Sequence, residues 1–112
     1  MAREFIMTPV FDHLWKDMNL NDDNLRELQS QIITRPNIGD VIVGTGGARK
    51  ARYAAIRNTG KSGGARVIYV DITHAGLIFL LYCYPKGKQD DLTPEQKKQV
   101  KKIVEAVKGE YR

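Results

Sequence analysis

The apolar positions of this chain change period part-way along. After a strand-like start at "EFIM", Phe11, Leu14, Trp15 and Met18 recur at the spacing of one helix face. Thr8 precedes them as a cap, with Pro9 at the first helical position. A second apolar face, Leu25, Leu28 and Ile32, follows "NLNDDN", which offers several competing caps. Asn24 with Glu27 could form a capping box, or the helix starts a little earlier. Pro36 stops it, because the residue before a proline avoids helical backbone.

Beyond Pro36 the period becomes that of strands. "ARKARYAAI" and "ARVIYVDI" read as strands, "HAG" as a turn, and "LIFLLYCY" as a near-continuous apolar strand covered on both faces. Thr93-Pro94-Glu95-Gln96 starts a last helix with a capping box. Val100, Ile103, Val104 and Val107 form its apolar face, and Gly109 is its expected end. The order β-α-α-β-β-β-α describes one α+β domain over residues 1–112, an antiparallel-dominated sheet packed on helices.

Composition changes this picture little until charge is placed along the chain. Between Val41 and Val70 there is no acid, against Arg49, Lys50, Arg52, Arg57, Lys61 and Arg66. The other 82 residues hold 12 cations and 13 acids, so the net +5 is concentrated in one segment. A focused basic surface draws polyanions. Nucleic acid is the leading partner class, ahead of a membrane surface. The lone Cys83 cannot form an internal disulfide, and "GLIFLLYCY" is too short to span a bilayer. The expectation is a cytoplasmic protein without a membrane partner.

The triplet Gly60-Lys61-Ser62 is not a phosphate-binding P-loop. That motif needs glycine at position 55, where Ala55 stands, and must open a helix rather than the strand after Gly64. Strand alternation instead puts Lys50 and Arg52 on one face. A hairpin through "NTGKSGG" would bring Arg66 beside them. The plain alternative is a solvated basic sheet face. His13 and His74 are not spaced as a metal pair, and one cysteine makes no zinc set, so no metal or cofactor is expected. Lys97, Lys98, Lys101 and Lys102 read as the solvated side of the last helix, or as auxiliary phosphate contacts.

"GDVIVGTGGARKARYA", "GKSGGARVIYV" and "IFLLYCYPKGKQDDLTPEQKK", in that order and spacing, resemble the RelE/ParE toxin superfamily, close to its HigB-like branch. The resemblance covers nearly the whole chain. It implies a toxin of a type II toxin–antitoxin system, neutralised by a cognate antitoxin. It further implies an endoribonuclease that cuts messenger RNA in the ribosomal A site without metal or cofactor. ParE-like members poison DNA gyrase instead, and a non-catalytic RNA- or ribosome-binding module is a further alternative. By resemblance the catalytic positions are Lys50 and Arg52 for proton transfer and phosphate binding, Arg66 for transition-state charge, and Lys86 for the leaving group or substrate positioning. Arg49, Arg57, Lys61 and Lys88 are the expected RNA contacts. The chain departs from the family pattern in two places. The arginine one residue beyond Lys86 is Gly87, or is displaced to Lys88. The family's functional tyrosine falls near Thr93, leaving Tyr82, Tyr84 and Tyr111 as distant substitutes.

Overall fold

The structure, a computed structural model, describes residues 3–54 and 64–112. The elements are β1 (Glu4–Met7), α1 (Pro9–Asp17), α2 (Asp22–Thr34), β2 (Asp40–Val41), β3 (Arg49–Tyr53), β4 (Ala65–Ile72), β5 (Leu77–Pro85) and α3 (Pro94–Glu110). They build one five-stranded sheet in the order β1-β5-β4-β3-β2. Only β1 pairs in parallel, with β5; the other pairings are antiparallel. This is the expected α+β architecture with one more strand. The pair Asp40–Val41 is too short and too exposed to leave a periodic trace in the sequence. Among the described residues, no helix is long and apolar enough to cross a membrane.

The sheet is covered on both faces, which explains the unbroken apolar run of β5. Phe11 and Trp15 of α1 and Leu28 and Ile32 of α2 pack on Ala51, Tyr53, Val67, Tyr69, Ile78, Leu80 and Cys83. On the other face Val100, Val104 and Val107 of α3 pack on Ile68, Val70, Ile72, Phe79 and Leu81. Alternation within β4 and β5 thus feeds two separate cores. Between Ile68 and Tyr69 the register of β4 on β5 slips: Ile68 faces Tyr82 but Tyr69 faces Leu80. Leu81 is therefore an extra residue, a β-bulge. It joins Phe79 in the α3 core, and the phase of the strand inverts beyond it. Tyr82 and Tyr84 consequently turn to the α3 side, and Cys83 to the α1/α2 side.

The helix ends match the sequence reading in part. Thr8 caps α1, its side chain accepting from Phe11 N–H, and Thr93 with Gln96 forms the capping box of α3. In α2 the box is Asn21 with Asn24, one turn before the Asn24/Glu27 alternative. Glu27 instead accepts the Tyr53 hydroxyl at 2.6 Å. Burial, followed by that bond, pushes the Tyr53 phenol up to about 12. α3 runs through Gly109 to Glu110, because Gly109 keeps helical backbone rather than the left-handed conformation of a cap.

The segment between α2 and β3 is tied down by few but specific contacts. The Tyr69 hydroxyl reaches Ile38 O at 2.6 Å and Pro36 O at 3.1 Å. The buried Thr45 hydroxyl donates to Ile42 O at 2.7 Å and accepts from Ala48 N–H at 3.1 Å. Gly39, at φ 90°, lies so close to β3 that an added Cβ would stand 2.2 Å from Lys50 O. Gly39→Ala would combine left-handed strain with a clash on backbone that cannot swing away. It should lower unfolding free energy by about 2 kcal/mol or more. Urea denaturation checks this, and an unchanged midpoint would contradict it.

Candidate RNA-binding site

The sheet's own register assembles the candidate site. Arg52 on β3 lies directly opposite Arg66 on β4, and Arg66 lies opposite Tyr84 on β5. One row further in, Lys50 faces Ile68, which faces Tyr82. Cross-strand partners share a face, so Lys50, Arg52, Arg66, Tyr82 and Tyr84 all lie on the α3 side. Three of the four positions expected to be catalytic are thereby brought together. Lys86, the fourth, follows β5 directly; its N–H bonds Gly64 O at 3.1 Å, which sets it beside the start of β4. The Lys86 and Lys88 side chains are exposed, and Lys88 is placed by a turn, its N–H bonding Pro85 O at 3.1 Å.

Two cations directly opposed across a strand pair destabilise a sheet. Arg52 is exposed to water, which softens this cost. Arg66 is only partly exposed, and its Nε is buried without a hydrogen-bond partner among the described residues. A buried guanidinium N–H left unsatisfied is costly, and an anionic oxygen held between Arg66 and Arg52 would relieve both penalties.

The loop from β5 to α3 supplies what the sequence reading missed. Asp91 forms an ion pair with Lys50, whose ammonium also bonds Asp90 O at 3.2 Å. The hydrogen bond and charge of Lys50 hold the Asp91 carboxyl below the ordinary carboxylate range, with smaller help from Lys97 and Arg66. Because that pKa is depressed, the pair persists from neutral pH into acid and opens only as pH falls through the lowered value. Asp90 and Asp91 look from sequence like acids placed to favour the start of α3, and no spacing rule links them to Lys50, forty residues earlier.

The loop is fixed by further side chains. The Tyr84 hydroxyl donates to Asp90 O at 3.3 Å. Gln96 Nε2 donates to the Tyr82 hydroxyl at 2.8 Å, and Gln96 Oε1 accepts from Gln89 at 2.9 Å. Gln89 also donates to Asp91 O at 2.7 Å. The Tyr82 and Tyr84 rings lie 6.3 Å apart, tilted by 49°. Burial raises the Tyr84 phenol above its usual value, against a partial lowering by Arg66.

Other residues stand apart from this cluster. Arg49 alternates to the opposite face from Lys50, and its guanidinium donates to Gly39 O at 2.8 Å and Asn37 O at 3.2 Å. It clamps the segment before β2. Arg57 and Lys61, with the loop that carries them, lie outside the described residues. Tyr111 packs on Phe79, with ring centroids 5.9 Å apart. His74 bonds Tyr111 O, and His13 pairs with Asp17 at 3.2 Å in solvent. Among the described residues, no three His, Cys, Asp or Glu side chains gather as a metal site. A cleft of about 350 Å³ lined by Ser30, Gln31, Thr34, Arg35 and Ile38 lies at the end of α2, and none of its lining residues belongs to the sheet cluster.

A family model described as the RelE toxin of the RelE/RelB toxin–antitoxin system matches residues 5–110. The chain belongs to the RelE toxin family. Its match spans every strand from β2 to β5, all three helices and nearly all of β1. In this RelE-family toxin the basic strand pair and the arginine of the next strand meet through strand register alone. The Lys50–Asp91 pair closes the same surface from the side.

That pair generates a test. Asp91→Asn removes the carboxylate that neutralises Lys50 and leaves the loop length unchanged. Affinity for a short single-stranded RNA should rise, and the slope of log affinity against log salt should steepen by about 0.7, one added phosphate contact. Anisotropy titrations over a range of salt check this, and unchanged affinity and slope would contradict it.

Proposed function

We infer that this RelE-family toxin is a ribosome-dependent endoribonuclease of the HigB-like branch, acting on messenger RNA in the A site and restrained by a cognate antitoxin. The observation that carries the reading is Arg66: it stands between Arg52 and Tyr84 in the sheet, and its buried Nε has no hydrogen-bond partner among the described residues. Family membership supports it, since RelE toxins are in general endoribonucleases.

The chemistry needs no protein nucleophile. The substrate's 2′-hydroxyl attacks the adjacent phosphorus, the bond to the 5′-oxygen breaks, and a 2′,3′-cyclic phosphate and a 5′-hydroxyl result. The protein must hold the phosphate in line, stabilise the added charge, take one proton and return one. Arg66 and Arg52 hold the scissile phosphate from two strands and stabilise its equatorial charge. Lys50 joins them when the phosphate displaces Asp91. Asp91 is a weak base while paired, because its pKa is depressed. Freed from Lys50 it becomes a better proton acceptor, so substrate entry itself readies the Lys50–Asp91 pair for proton transfer. Lys86 and Lys88, on the turn beyond β5, steady the leaving side of the RNA. Tyr82 is half-buried beside the cluster, while Tyr84 is buried opposite Arg66 on β5.

Primer extension on translated messages, with wild-type protein and Arg66→Ala, tests this. Wild type should give codon-phased ends. Arg66→Ala should lose about 10²-fold or more in cleavage rate, the scale of removing one transition-state donor, with an unchanged melting temperature. Inhibition of gyrase supercoiling without new RNA ends would overturn the reading in favour of gyrase poisoning.

A further inference from the structure

α3 carries Glu95 in its first turn and Lys108 in its last, as its dipole favours, but gathers four lysines between them. Val100, Val104 and Val107 face the sheet, and Lys98, Lys101 and Lys102 are exposed. At 100° per residue, Lys97 and Lys101 form one row along the helix and Lys98 and Lys102 the next. Each row holds a like-charge pair at i,i+4 spacing, which destabilises a helix; Glu105 continues the first row, yet among the described residues neither it nor Glu95 forms an ion pair with these lysines. All four lie in the half nearer the N-terminus, between Glu95 in the first turn and Glu105 in the second half. Among the described residues, Lys98, Lys101 and Lys102 are within ion-pair distance of no carboxylate. Lys108, in the last turn where the dipole favours it, shows the contrast: its ammonium bonds Gly46 O at 2.5 Å.

We propose that the outward face of α3 is a second nucleic-acid contact, built for the phosphate backbone of a double-stranded RNA segment beside the strand held on the sheet. The two lysine rows stand about 10 Å apart, judged from a helix about 10–12 Å wide with its side chains. A single strand offers one row of phosphates. A duplex offers two rows flanking a groove, and duplex RNA is recognised mainly through its backbone and shape. The face adjoins the sheet cluster, since Gln96, next to Lys97 on α3, donates to the Tyr82 hydroxyl at 2.8 Å. The proposal rests on reading that cluster as an RNA site.

The test uses the full chain carrying Lys98→Gln, Lys101→Gln and Lys102→Gln together. Its probes are a short blunt RNA duplex and a single strand of the same sequence. Duplex affinity should fall by at least about tenfold, and the salt slope should become shallower by roughly 2 to 3, near 0.9 for each lost contact. Single-strand affinity should hold within about twofold, and the melting temperature should stay level or rise as the like-charge pairs vanish. Arg66→Ala should keep its duplex affinity. Unchanged duplex binding in the triple variant would overturn the proposal. So would equal losses on both probes, meaning one strand runs over sheet and helix alike, or a lower melting temperature, meaning the lysines serve the fold. If Arg66→Ala cleaves normally while the triple variant still loses the duplex, the α3 surface stands and the sheet reading falls.

Discussion

Leu81 has no partner across β4, and that missing pairing decides which side chains of β5 share a face with Arg66. Without the bulge, strict alternation would carry Cys83 to the α3 side and send both tyrosines into the α1/α2 core. With it, Phe79 and Leu81 complete one core, Ile78, Leu80 and Cys83 the other, and Tyr82 and Tyr84 back the cation cluster. The constraint is the two-sided covering of the sheet. Both faces must be filled, so a single inserted residue shifts the rest of the strand by one full phase.

The same sheet explains why the cations can gather at all. Like charges on facing strands would ordinarily be spread apart, but β3, β4 and β5 are pinned by the cores on both sides. Tyr53, Val67 and Tyr69 are nearly inaccessible to solvent, so the backbone under Arg52 and Arg66 has little freedom to relax. Repulsion is tolerated because packing elsewhere outweighs it. The loop before α3 then brings Asp91 to Lys50, while the buried Arg66 Nε has no hydrogen-bond partner among the described residues.

The architecture was legible in the sequence wherever a pattern was long. Phe11 to Met18, Leu25 to Ile32 and Val100 to Val107 announce their helices, and Ala65 to Ile72 announces β4, because each repeats one burial requirement over several positions. Lys50 and Arg52 were legible as one face through alternation, and Arg66 joined them on the expectation of a hairpin between the two strands. What escaped was non-periodic. Two residues of β2 leave no rhythm, and an apolar run shows nothing of a bulge, since either phase of "LIFLLYCY" looks equally buried. The pairing of Lys50 with Asp91 crosses forty residues and depends on the length of one loop. The separation of Arg49 from its neighbour Lys50 follows from alternation, but its clamp on Gly39 and Asn37 depends on where the chain turns after α2.

If the sheet surface takes RNA as proposed, the ion pair between Lys50 and Asp91 also bears on what it would pass over. A cell is full of small anions and free nucleotides, each able to neutralise an unguarded lysine. Here an isolated phosphate would have to evict a carboxylate already in place and would gain little from Lys50 in exchange. A polymer that engages Arg52 and Arg66 at the same moment brings enough attraction to make the exchange favourable. On the proposed RNA reading, the internal counter-ion would add only the small bias of an exposed ion pair toward ligands that present several phosphates together.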